Sequence, residues 1–301
     1  MRNFIFILSI PLILASCSEK DEPTLDVYSQ VSEISKGKSY SGRMEYDSYG
    51  RVIKYDVTST DETICCSYSY PSENRMSIRT RQVIRMWDNH CIIREFEDEM
   101  TLENGRAALC EGIFTNHEEN DGDEQRRLQK KYRHEFVYTP DNHLNVVKWT
   151  EWSKRGDEWA LDRPWSWENY YIWENGNLST VEDFHGKSKP YYIYRYTYST
   201  ISGVQNIVPI PFGRTQYFPL QLKGLFGAQP NNLISGVELE EPGQQTIETT
   251  YEYTLTDSRV TKYTETRNGV TEDNEVSYFQ TFTGRCENDV DVGIVGAGNY
   301  L

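Results

Sequence analysis

The sequence predicts an all-β fold, an antiparallel meander of hairpins that curls into a single sheet or a partly closed barrel. A β-sandwich is the alternative. Three observations carry this. The chain takes its apolar area from rings, with 22 Tyr, 11 Phe and 7 Trp, and rings fit pleated surfaces better than helices. Its aromatic-rich segments alternate apolar and polar residues, the period of a strand with one buried face. Short Asn/Gly/Asp turns punctuate those segments at hairpin spacing.

The hairpins run in order. The first is Met44-Glu45-Tyr46-Asp47-Ser48-Tyr49-Gly50-Arg51-Val52-Ile53-Lys54-Tyr55. The second spans residues 68–78 around Asn74, and a weaker third spans 100–109 around Asn104-Gly105. The fourth spans 136–147 around Asp141-Asn142, the fifth 170–181 around Asn175-Gly176, and the last clear copy 251–263 around Asp257-Ser258. Gly50, Asn74, Asn142 and Gly176 tolerate the positive φ that tight hairpin loops need. Six hairpins imply roughly twelve strands or more, and a sheet that long must curl, close or split. The intervals are irregular, which excludes a strict solenoid.

Two stretches break the pattern. Residues 116–131 (NHEENDGDEQRRLQKK) are charge-dense and are expected to form an exposed loop. Residues 203–236 hold Pro209, Pro211, Pro219 and Pro230, which exclude a central strand. Within them, residues 218–226 (FPLQLKGLF) are apolar and compact, suiting a short helix, a plug over a barrel mouth, or a core-packing loop. The tail 292–298 (VGIVGAG) reads as a last strand or a loose end.

The amino terminus has its own logic. Residues 1–16 combine Arg2 with an apolar run too short to span a bilayer comfortably, then small residues before Cys17. Leu14-Ala15-Ser16-Cys17 resembles the lipobox of bacterial lipoproteins, which implies cleavage before Cys17 and its acylation. The acidic run Ser18-Glu19-Lys20-Asp21-Glu22 resembles the export signal that carries Bacteroidota lipoproteins to the cell surface. Residues 17–38 are then a lipidated, acidic tether, and 39–301 a single all-β domain. No later apolar stretch has transmembrane length, so the expected hold on the outer membrane is the lipid. The formal net charge of -15 excludes long-range attraction to nucleic acid.

The hairpins carry a further resemblance. Tyr46-Asp47-Ser48-Tyr49-Gly50-Arg51-Val52 resembles the YD repeat of bacterial surface shells. The wider set resembles a family of small Bacteroidota lipoproteins of unknown function with a porin-like fold. It does so through Gly50-Arg51-Val52, Asn142-His143-Leu144, Asn175-Gly176-Asn177-Leu178, and Asn231 to Val237 followed by Tyr251-Glu252-Tyr253. Asp257-Ser258-Arg259 departs from that family's glycine turn. The resemblance implies a porin-like barrel and carries no catalytic residues. The strands themselves read as too polar for hydrocarbon: Val260 to Thr266 presents Val, Lys, Thr, Thr on one face and Thr, Tyr, Glu on the other. A soluble barrel with a ring-filled interior is expected.

The candidate ligand site is the aromatic run Trp149, Trp152, Trp159, Trp165, Trp167 and Trp173, with Glu151, Glu158, Asp162 and Glu168 nearby. Rings beside acids and amides suit sugars; the competing reading is that the same rings are core. Trp165 and Trp167 would share a strand face, and Trp149 and Trp152 would not. No carboxylate pair is singled out for glycoside hydrolysis among 46 acids. Asn120-Asp121-Gly122-Asp123-Glu124 lacks the alternation of a calcium loop, and the five histidines are scattered, so no metal and no cofactor is expected. Beyond Cys17 stand Cys65, Cys66, Cys91, Cys110 and Cys286; a Cys66 bridge to Cys91 or Cys110 is open, with small buried thiols the simpler reading. The expected function is a non-catalytic surface binding module for a glycan or other extracellular ligand. The alternative is an envelope assembly protein without a small-molecule site, and a glycoside hydrolase has the least support.

Overall fold

The computed structural model describes residues 30–278, apart from 37–38, 87–89, 121–122, 163–166, 187–188 and 211–213, and the side chains of 119–127. Its strands are β1 Val31–Lys36, β2 Tyr40–Tyr46, β3 Val52–Ser59, β4 Glu62–Ser72, β5 Arg75–Arg85, β6 His90–Glu103, β7 Arg106–Asn120, β8 Asp123–Tyr138, β9 Leu144–Arg155, β10 Glu158–Leu161, β11 Trp167–Glu174, β12 Asn177–His185, β13 Tyr192–Ser202, β14 Asn232–Glu240, β15 Ile247–Thr256, β16 Arg259–Arg267 and β17 Val270–Tyr278. All pairings are antiparallel between sequence neighbours, with two exceptions. β9 pairs with both β11 and the short β10, so β10 is a side branch. β1 pairs with both β2 and β17, which closes the ring. The result is a closed barrel of sixteen strands.

Two expectations need correction here. The sheet begins at Val31, not near Ser39, because β1 is the strand that joins the two ends of the meander. The charge-dense residues 116–131 are not a loop: β7 and β8 continue through them as a paired hairpin. A ladder of backbone hydrogen bonds is indifferent to side-chain charge when both faces at that level are polar. The β-sandwich is excluded by the closed ring. Three of the four turn residues named from sequence take positive φ, Gly50 at 71°, Asn142 at 68° and Gly176 at 75°, while Asn74 does not. Asp257 and Ser258, at 50° and 59°, make a regular hairpin turn without glycine.

Alternation sorts the wall into two faces. Ile64, Cys66 and Tyr68 of β4 point inward and are buried, while Cys65, Ser67 and Ser69 point outward and are exposed. The outer face carries charge in mid-strand, including the pairs Arg81–Glu95 at 3.8 Å, Arg133–Glu111 at 3.8 Å and Lys54–Asp56 at 2.7 Å. Such positions do not form the apolar band that a lipid-facing barrel needs. The four described cysteines, Cys65, Cys66, Cys91 and Cys110, are all free thiols, and Cys286 lies outside the described residues.

A sixteen-stranded barrel is wide enough to leave a channel unless something fills it. Here the segment between β13 and β14 turns inward at the end of the barrel that bears the tight turns. It holds a 3-10 turn, Thr215–Tyr217, and a one-turn helix, α1 Phe218–Leu222, started by Pro219 in its first turn. Ile207, Val208, Tyr217, Leu220, Leu222 and Phe226 are buried against inward-facing Tyr55, Tyr68, Cys110 and Phe136. Burying each such side chain contributes roughly 1.5–3 kcal/mol. The plug is tied at its base by backbone bonds, Ala107 N–H to Leu225 O at 2.8 Å, Ala228 N–H to Asn142 O at 2.7 Å and Asn231 N–H to Gly176 O at 3.0 Å.

The aromatic that precedes most of the turns has a structural task. Where β2–β3, β6–β7, β8–β9, β11–β12, β13–β14 and β15–β16 meet near the turn end, the register shifts by a residue. The shift takes a carbonyl out of the ladder. Tyr70 donates to Val52 O at 2.9 Å, Tyr138 to Ala107 O at 2.7 Å, Trp173 Nε1 to Leu144 O at 2.7 Å, Tyr198 to Leu178 O at 2.7 Å, Tyr253 to Ile234 O at 2.5 Å and Tyr278 to Val260 O at 2.8 Å. Tyr46 does the same for Val31 O across the closing seam at 2.7 Å. These bonds form an internal girdle linking one hairpin to the next. Burial pushes the Tyr70 and Tyr278 hydroxyls up to about 12, so they stay protonated donors. At the first turn Asp47 adds a local clamp, accepting from the Tyr49 and Arg51 amides and pairing with the Arg51 guanidinium at 2.7 Å.

Tyr198→Phe should therefore lower unfolding free energy by about 1–3 kcal/mol, since the Leu178 carbonyl stays buried without a donor. Urea denaturation is the measurement, and Tyr49→Phe, on a ring 75% exposed, should stay within about 0.5 kcal/mol of wild type.

Candidate functional site

The lumen beyond the plug is the place where inward side chains from many strands converge. Its deepest layer is polar. Asp98 on β6 is 1% exposed and accepts from the Tyr132 hydroxyl and from Gln216 Nε2 of the plug at 3.3 Å. Gly112 on β7 stands between Asp98 and Tyr132, where any side chain would collide with both. The Tyr217 hydroxyl lies 3.2 Å from Cys110 Sγ and 3.5 Å from His134 Nδ1. Burial pushes the Cys110 thiol far up and, together with the Arg214 charge, His134 well down. Cys110 is therefore a protonated thiol and His134 a neutral ring, a pairing without nucleophilic character. Burial also raises the Asp98 carboxyl to about 6, partly offset by Arg214 and Gln216.

From this layer a line of rings runs along the inner wall. Tyr132 stacks on His134 at 5.0 Å, and His134 meets Trp149 at 4.1 Å. Trp149 on β9 is the register partner of Trp167 on β11. Trp167 stacks on His185 at 4.7 Å, His185 on Tyr191 at 4.9 Å, and Tyr191 meets Tyr192 edge-on at 4.6 Å. Trp167, His185, Tyr191 and Tyr192 are half-buried, so this shelf keeps accessible ring surface. Polar groups flank it. Lys130 bridges Glu151 at 3.2 Å and Asp162 at 2.8 Å. Asp183 pairs with His185 Nε2 at 3.1 Å, and burial holds its carboxyl above the usual range.

The six tryptophans named from sequence do not form one cluster. Trp149 and Trp167 share the lumen face. Trp152 points outward with the Lys131 ammonium 5.8 Å from its ring, as Lys131 and Trp152 are register partners. Trp159 on β10 is 39% exposed. Trp173 is committed to the girdle and lies tilted against His143 at 4.3 Å. Trp165 lies outside the described residues. Of the nearby acids, Glu151 and Asp162 share one lysine rather than facing each other across a cleft, and Glu168 accepts from the Tyr170 hydroxyl on the outer face. Among the described residues no group of three His, Cys, Asp or Glu side chains is placed to hold a metal. The sequence reading missed His185, Tyr191 and Asp183. Their only signal was the strand alternation that places Asp183 and His185 on the face of Val181, and the register that sets Trp167 against His185 appears only in the folded sheet.

A closed sixteen-stranded antiparallel barrel with a charged outer wall, a plugged lumen and an aromatic shelf defines a porin-like architecture. A porin-like protein from Bacteroides vulgatus superposes with a TM-score of 0.54 at 15% identity, over 84% of this chain and 100% of that one. A second porin-like protein, from Bacteroides uniformis, superposes with a TM-score of 0.48 at 15% identity, over 83% of this chain and 95% of that one. The first likeness shows the fold. No family model matches the chain, and no curated protein sequence matches it.

Asp98 makes stability depend on pH. Its folded carboxyl holds a proton up to about pH 6, while the unfolded one releases it near the ordinary 3.8. The folded state binds more protons between these values, so this group's contribution is fully present below about pH 4 and is lost as pH rises through 6. The loss is on the order of 3 kcal/mol. Asp98→Asn should remove it: the stability of the variant relative to wild type should climb between pH 4 and 7, as read from urea midpoints across that range.

Proposed function

We propose that the chain is a lipid-anchored envelope protein that binds an extracellular glycan in the barrel lumen without transforming it. The observation that carries this is the accessible ring shelf of Trp167, His185 and Tyr191, flanked by Asp183 and by the Lys130–Glu151–Asp162 group. The apolar C–H faces of a pyranose stack on such rings, and its hydroxyls take hydrogen bonds from flanking carboxylates and ammonium. Rings held on strands cost little entropy to present. The porin-like neighbours come from Bacteroides, which supports an envelope address. Cys17, the residue proposed for acylation, lies outside the described residues. With charges along the outer wall, attachment rests on acyl chains, each worth about 0.8 kcal/mol per buried methylene.

One observation favours a second reading, an envelope interaction protein. Val137, Tyr170 and Ile172 are exposed on the outer face of β8 and β11, with Phe184 against Tyr170 at 5.4 Å, and exposed apolar patches commonly mark partner surfaces.

Glycan-array screening followed by calorimetry tests the first reading. Trp167→Ala should weaken binding of a glycan hit about tenfold or more, and Trp152→Ala, on the outer wall, should leave it unchanged. Equal effects of the two substitutions would overturn the lumen site. A Cys17→Ala variant should move from the membrane to the soluble fraction on cell fractionation; retention would overturn the lipid anchor.

A further inference from the structure

A cavity, separate in its lining residues from the ring shelf, lies between the plug and the wall made by β1–β3, β16 and β17. Its volume is about 470 Å³. Ile34, Ile207, Ile210 and Phe218 supply apolar surface, and Tyr40, Tyr55 and Tyr263 supply rings. Besides the tyrosine hydroxyls the polar groups are Arg214, Thr215, Gln221, Glu265, Asn274 and Lys36. This is the composition of a small-molecule site, mostly apolar with a handful of oriented polar groups.

Most of those polar groups are already engaged. Lys36 pairs with Glu272. Gln221 Oε1 accepts from the Ile210 amide at 3.1 Å, and its Nε2 donates to Val208 O at 3.4 Å. Asn274 Nδ2 donates to Glu272 O at 3.5 Å. The Tyr40 and Tyr55 hydroxyls lie 3.4 Å apart.

Among the described residues Glu265 and Arg214 are the charged exceptions, and the cation of the two is Arg214. Its guanidinium lies over the Tyr132 ring at 3.7 Å and the Phe96 ring at 4.7 Å, which fixes its plane. Its Nη1 is buried without a hydrogen-bond partner, and among the described residues no carboxylate lies within ion-pair distance of it. Asp98 acts on it only through space. A guanidinium presents five donors, and a buried one left unpaired beside a cavity is costly unless an anion completes the site.

We propose that this cavity binds a small organic carboxylate with an apolar or ring body, its charged group seated on the Arg214 guanidinium. The ring-held arginine is pre-oriented for a two-toothed contact with a planar carboxylate. The isoleucines, Phe218 and the tyrosines enclose the body. Glu265 on the same wall disfavours ligands with a second negative charge on that side.

Benzoate is the probe, with benzyl alcohol as its neutral counterpart, titrated calorimetrically into the full mature chain at low ionic strength. Benzoate should bind about tenfold or more tightly than benzyl alcohol, and Arg214→Gln should erase that preference while Arg214→Lys retains part of it. Trp167→Ala should leave benzoate binding unchanged, which separates this cavity from the shelf. Equal affinity for the two probes, or benzoate affinity indifferent to Arg214→Gln, would overturn the proposal. Should the glutamine variant fail to fold, wild-type protein decides: nuclear Overhauser contacts from the benzoate ring to the Ile34, Ile207 and Ile210 methyls are expected, and contacts elsewhere or none overturn the site.

Discussion

The width of the barrel is the constraint from which the rest follows. Sixteen strands enclose more space than wall side chains alone can fill, and an empty apolar lumen would forfeit the burial that holds a fold together. The chain answers by folding its own segment inward between β13 and β14. That choice imports backbone polar groups into the interior, and each needs a partner. Tyr68 donates to Gln216 O at 2.7 Å, Gln229 Nε2 to Gln221 O at 2.7 Å and Gln205 Nε2 to Leu222 O at 2.6 Å for this reason. The buried Asp98, Gln216 and Tyr132 group is part of the same accounting.

Closure itself depends on β1. It is only six residues long, yet it pairs on both sides and removes the two edges an open meander would expose. Near the turns, closure requires curvature, and curvature is supplied by the register shifts. The girdle of tyrosine hydroxyls and the Trp173 indole N–H repairs the ladder where those shifts break it. Aromatic residues before the turns are therefore parts of the wall, and they are not free to bind ligand.

The plug divides the interior by chemistry. Its turn-side half is packed with buried Tyr, Met, Val and Leu side chains. The other half keeps the ring shelf on the β9–β12 wall and the arginine-lined cavity against β1–β3 and β16–β17. Arg214 belongs to both regions, since it covers Tyr132 at the start of the ring line and also lines the cavity. The Asp98 layer beneath it raises the cost of moving it, because a displaced Arg214 would leave a buried carboxylate further from its nearest positive charge.

Strand identity, hairpin order and the polar outer wall were legible in the sequence. They rest on local features: alternation at Ile64 to Ser69, positive φ at Gly50 and Gly176, and the prolines of residues 203–236, although β14 already enters the sheet at Asn232, because the last of them, Pro230, lies just ahead of it. Other features were decided only by the folded ring. Residues 116–131 carry no strand signal of their own and become strands because each half extends a ladder begun by more apolar neighbours. β1 looked like tether because its strand character comes from two partners far apart in sequence. The six tryptophans looked like one group on a line of text. Cross-strand register, which is a property of pairs of strands and not of either one, sends Trp149 and Trp167 into the lumen with His185 and sends Trp152 out to Lys131.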